Sequence, residues 1–99
     1  MVQRVSPRQQ RLLREFGAHI RRWRKVNGMT AVELSRRAFV TRETLRHIES
    51  GTGAPRLDSL IAVLAALGIA DTIVGAADPY KSEAARARID AIIGEGGSL

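Results

Sequence analysis

Residues 30–51 read Thr-Ala-Val-Glu-Leu-Ser-Arg-Arg-Ala-Phe-Val-Thr-Arg-Glu-Thr-Leu-Arg-His-Ile-Glu-Ser-Gly. Thr30 followed three positions later by Glu33 is a capping box, in which hydroxyl and carboxylate each satisfy a backbone N–H that a first helical turn leaves free. Thr41 offers the same hydroxyl chemistry to a second helix, and Gly51 stops it. Between these punctuation marks, Leu34, Ala38, Val40, Leu45 and Ile48 recur at a spacing that lets two short helices cross and bury one face each. The second helix keeps its other face free.

A helix presented this way has the shape required of an element laid in the major groove of duplex DNA. The charge distribution agrees. The net charge of +6 is uneven: residues 1–50 carry eleven Arg, one Lys and four Glu, whereas residues 51–99 carry four basic and six acidic side chains. A basic half implies a nucleic-acid face, and a mildly acidic half implies a protein-contacting one. At 99 residues the chain fits one domain with a modest core, for which dimerisation is a natural source of further burial. It has no cysteine, which rules out disulfides and thiolate metal sites and suits a reducing cytoplasm. No apolar targeting segment opens the sequence, and the longest apolar run, residues 60–67, is too short to span a bilayer. A soluble cytoplasmic protein with no membrane partner is expected.

Outward from the central stretch the chain reads as helix throughout. Ser6-Pro7 with Gln9 is a further capping box, and Leu13, Phe16, Ile20 and Trp23 then form one apolar stripe up to Asn27-Gly28. Gly17 interrupts that helix and predicts a bend between an N-terminal arm and the helix proper. Residues 51–55, Gly-Thr-Gly-Ala-Pro, form a loop. Leu57, Leu60, Ile61, Leu64 and Leu67 make an amphipathic helix that ends at Gly68. Asp71 is expected to cap a short helix over residues 72–77, and a last helix from about Ser82 carries Ala85, Ile89, Ile92 and Ile93. The fold class is therefore all-α: a compact bundle of about five helices with an additional C-terminal helix. The expected division is an arm and start of the first helix (1–16), a DNA-binding unit (17–69), C-terminal helices for dimer or partner contact (70–93) and a disordered tail (94–99).

The pattern over residues 17–68 resembles the lambda-repressor-like, Xre-type helix-turn-helix family. The resemblance is carried by Gly17 with Ile20, Gly28-Met29-Thr30, Glu33-Leu34, Val40-Thr41, Ile48-Glu49 with Gly51, and Pro55 leading into a Leu-rich helix. It implies a bacterial, homodimeric transcriptional regulator, most often a repressor, bound to an inverted repeat. A groove-bound helix reads bases near its N-terminus, which here means Arg42, Glu43 and Thr44, with His47 one turn on. Arg42 suits a guanine, Glu43 a cytosine amino group, and the Thr44 methyl a thymine, while His47 suits a base or a phosphate. Phosphate contacts are expected from the helix N-termini at Thr30 and Thr41, and from Arg46, Thr52 and Arg56. Arg21, Arg22, Arg36 and Arg37 are weaker candidates. The resemblance also pairs Arg24 with Glu49 as a structural ion pair. Two positions depart from it: Ala31 stands where Gln is common, and Phe39 stands where Gly serves a turn of positive φ. Either the turn is reshaped, or the strain is tolerated with the ring packed on a neighbouring surface.

In the C-terminal third, Ile73, Val74, Tyr80, Ile89, Ile92 and Ile93 are candidates for a dimer interface. The Asp-Pro-Tyr turn with the following Ser-Glu and Arg-Ala-Arg is similar to the ends of some HipB-type antitoxins. That offers an alternative: a protein that binds a toxin and represses its own operon. Catalysis is not expected, because His19 and His47 lie on different helices and neither a phosphate loop nor a metal spacing is present. The sequence implies no metal and no cofactor.

Overall fold

The computed structural model describes residues 5–99; the first four residues of the expected N-terminal arm lie outside the described residues. The element order is α1 (Pro7–Val26), α2 (Ala31–Ala38), α3 (Arg42–Ser50), α4 (Leu57–Leu67), α5 (Ala70–Ala76), a 3-10 turn (Pro79–Lys81) and α6 (Glu83–Gly94), with no strand among the described residues. Ser6 and Thr30 close reciprocal capping boxes with Gln9 and Glu33. The helix stops at Phe39, Gly51 and Gly68 are all left-handed residues that let the chain turn sharply.

The core is built where α2, α3 and α4 meet the C-terminal half of α1. Ile20, Leu34, Ala38, Leu45, Ile48, Val63, Leu64, Leu67 and Ile69 are buried together, with Phe16, Val40, Leu60 and Ile73 packed at the edge. α1 packs mainly on α3, and α2 on α4, so the two short central helices are clamped from both sides. At roughly 25 cal/mol per Å² of apolar area, this small cluster is what opposes the chain entropy.

Four expectations are corrected. α1 does not bend at Gly17; it runs unbroken for 20 residues, and Gly17 is buried. A Cβ there would collide with the carbonyl oxygens of Ile48 and Glu49, so glycine is needed for close approach of α1 to α3 rather than for a hinge. The apolar stripe of α1 is only partly used: Ile20 is buried, but Leu13 and Trp23 are exposed. α5 begins at Ala70 with Ile69 as its cap, so Asp71 lies inside the first turn, where its charge complements the helix dipole. In the expected tail, Gly96 and Gly97 donate backbone N–H groups to Ile93 and Ile92, folding back over the end of α6.

α6 packs chiefly on the 3-10 turn and stands away from the bundle. The radius of gyration is accordingly 16.9 Å, against about 13 Å for an average 100-residue domain. Ile89 is 4% exposed and belongs to the chain's own packing, which removes it as an interface residue. Ile73 is half-buried, whereas Val74, Tyr80, Ile92 and Ile93 remain exposed.

Candidate nucleic-acid interface

α3 turns Leu45 and Ile48 into the core. A 3.6-residue repeat then places Glu43, Arg46, His47 and Ser50 on the opposite side, with Arg42 beside them. Arg42, Glu43, Arg46 and Ser50 are exposed and His47 is half-buried. The N-terminus of α3 is fixed by Thr41, whose Oγ1 accepts from the Thr44 N–H at 3.0 Å and donates to Thr44 Oγ1 at 2.9 Å. Thr44 Oγ1 accepts that bond and keeps its own O–H to donate, so Thr44 offers both a hydroxyl and a methyl to a partner.

The far end of α3 is joined to the loop that follows. Thr52 N–H donates to the His47 carbonyl at 3.0 Å, and the Ser50 and Thr52 hydroxyls share a 2.6 Å hydrogen bond. The His47 ring packs against Gly53, where a Cβ would lie 2.8 Å from its Cγ, and its Nε2 is 3.3 Å from Arg46 Nη2. His47 is therefore a junction between the exposed face of α3 and the loop rather than a free side chain. Ser50 was not among the residues expected from sequence. Its seven-residue spacing from Glu43 was the available signal.

The cations on this side are held loosely. Arg46 Nη2 lies 3.8 Å from Glu43 Oε1, and Arg56 Nη2 donates to Asp58 Oδ2 at 2.8 Å; all four side chains are well exposed. Such pairs contribute at most about 1 kcal/mol, so either guanidinium can exchange its carboxylate for a phosphate at small cost.

The support beneath the face is more rigid. Arg24 Nε and Nη2 donate to the two Glu49 carboxylate oxygens at 2.7 and 3.0 Å, and Arg24 Nη1 donates to the Met29 carbonyl at 3.1 Å. Both side chains are only 12% exposed. The Glu49 hydrogen bond raises the Arg24 pKa above its ordinary value, so the fork stays charged at every working pH. One ion pair thus ties α1, the α1–α2 turn and α3 together. At α2, Thr30 Oγ1 accepts from Glu33 N–H and Glu33 Oε1 accepts from Thr30 N–H, each at 3.1 Å. The bond from the Thr30 backbone, followed by that from its hydroxyl, lowers the Glu33 pKa. Ala31, the first residue of α2, adds a backbone amide and no polar side chain.

The turn between α2 and α3 is not reshaped. Phe39 keeps φ 54° and ψ 40°, and it is the only non-glycine residue of positive φ among the described residues. The expected local packing is absent: the ring is 95% exposed. The backbone hydrogen bonds of the turn are made regardless, Phe39 N–H to Arg36 O and Val40 N–H to Ser35 O, which shows how the motif imposes the conformation.

No cluster of His, Cys, Asp and Glu that could hold a metal occurs among the described residues, and no described helix is long and apolar enough to cross a membrane. The profile of the helix-turn-helix family matches residues 20–72, from the middle of α1 into α5. No curated protein and no solved structure matches the chain.

Proposed function

The chain belongs to the helix-turn-helix family of Xre, lambda-repressor-like type, a family of DNA-binding transcription regulators, and from that premise we propose that it is a repressor that reads an inverted repeat as a homodimer. The carrying observation is α3 itself: a capped helix with an exposed polar face, pinned from behind by Arg24 and Glu49. Arg42 donates to a guanine edge, Glu43 accepts from a cytosine amino group, the Thr44 methyl meets a thymine, and His47 serves the groove from the loop side. Amides at the α2 and α3 N-termini, capped by Thr30 and Thr41, hold phosphates together with Arg46, Thr52 and Arg56. Occupying a promoter in this way needs neither ligand nor cofactor.

Two-fold pairing sets two reading helices about 34 Å apart, one turn of duplex. Val74, Tyr80, Ile92 and Ile93 are exposed apolar side chains of the C-terminal third that pairing would cover. Ile73 contributes from the edge of the core. Because α6 stands off the bundle, the same face supports a second reading, an antitoxin whose α6 holds a toxin while the bundle holds DNA. Affinity purification after nuclease treatment separates them: the chain recovered alone supports the first, and a near-equimolar second protein bound through α6 supports the second.

Arg42 and Arg46 test the assignment of roles on duplexes selected from a random pool. Arg42→Ala is expected to cost about 1–3 kcal/mol and to relax preference at one base position. Arg46→Ala is expected to weaken selected and random duplexes alike. Equal losses on both duplexes for both variants would refute this division.

A further inference from the structure

The first half of α1 lies outside the matched family segment, yet it is built onto the reading unit. Gln10 Nε2 donates to the Gly51 carbonyl at 2.8 Å, across 41 residues of chain. Gly51 approaches the same turn so closely that a Cβ would lie 2.6 Å from both Arg14 N and Leu13 C. The turn Gln10–Arg14 therefore rests on the C-terminal end of α3, where the loop to Arg56 begins. Rigid contact, not sequence proximity, places it there.

This segment carries Arg8, Arg11 and Arg14, three residues apart on one slanting ridge, all exposed. None of them forms an ion pair among the described residues, and the one acid nearby, Glu15, faces His19. The first turn of α1 contains no acidic residue. Cations at the start of a helix oppose its dipole, and like charges three apart on a helix repel. The arrangement weakens α1 and is not offset inside the chain. A polyanion laid along it would offset these repulsions by attracting all three guanidinium groups.

We propose that Arg8, Arg11 and Arg14 form a phosphate clamp that grips the duplex backbone beyond the end of α3, outside the bases that α3 reads. The proposal rests on the DNA-binding reading above and extends its footprint. Duplex DNA is favoured as the occupant because the turn of α1 that carries these residues packs on Gly51, the start of the loop to Arg56 that edges the proposed interface. The clamp carries no sequence information; it adds affinity and salt dependence to every duplex alike.

The test is the full chain with Arg8, Arg11 and Arg14 all changed to Gln, titrated with a selected duplex and a random duplex of equal length between 50 and 200 mM salt. The clamp predicts an unchanged or higher melting temperature, since repulsion is relieved. It also predicts Kd raised about tenfold or more on both duplexes, and a log K against log salt slope shallower by about 2 to 3. A triple Arg→Lys variant should restore most of the slope. A Gln variant that binds with the wild-type slope and affinity overturns the clamp and leaves the reading helix intact. A lowered melting temperature with an unchanged slope also overturns it, by showing a structural role. Wild-type chain that ignores duplexes but binds vesicles rich in anionic lipid overturns the clamp together with the reading beneath it.

Discussion

Phe39 shows how much of a residue's situation is local. The sequence places a bulky side chain where the turn needs positive φ, and the backbone takes that conformation in full. Its exposure was not legible, because whether a ring finds a surface depends on where α2 and α3 end up relative to their neighbours. A left-handed residue with a Cβ costs about 1–2 kcal/mol, and here no packing offsets it. Phe39→Gly is therefore expected to stabilise the chain by about 1 kcal/mol, seen as a higher midpoint in urea at unchanged m-value. A lower midpoint would mean that the ring has a stabilising contact. Glu49 behaves in the opposite way. Removing its carboxylate leaves Arg24 nearly buried and half-satisfied, so Glu49→Ala should cost about 2–3 kcal/mol and lower the melting temperature by roughly 10–20 °C. An unchanged melting temperature would reduce the pair to decoration.

Helices were the most legible feature, since capping boxes at Ser6 and Thr30, the Thr41 cap and the glycine stops mark their ends with local chemistry. What failed was inference about what each helix touches. The stripe of α1 is real, but Leu13 lies on the N-terminal half, beyond the core, and Trp23 at the edge of the stripe, so both stay at the surface while Ile20 is covered. Helix propensity alone predicts a bend at Gly17; the reason for the glycine lies in the carbonyls of Ile48 and Glu49. Those are backbone atoms and cannot swing aside. Gly17→Ala, an improvement by helix propensity, is expected to destabilise by about 3 kcal/mol through forced separation of α1 from α3. A neutral or stabilising result in a denaturant titration would show that the helices can part cheaply.

Across the whole molecule, extents of 51 × 34 × 19 Å describe a small bundle with a projecting α6. The bundle was legible from its periodic helices. The projection was not, because the apolar residues of α6 have the same pattern whether they pack on the bundle or on another chain. Ile89 is spent internally and Ile92 and Ile93 are not. If those two hold a second copy, Ile92→Asp with Ile93→Asp should leave the melting curve of the bundle little changed and halve the mass in analytical ultracentrifugation. A dimer that survives both changes would place the interface elsewhere. The central claim, however, is that α3 reads duplex sequence, and the most direct measurement compares Kd for a selected inverted-repeat duplex with that for a scrambled duplex at physiological salt. The account predicts a preference of about 1,000-fold or more for the selected site, whereas equal affinities would contradict it.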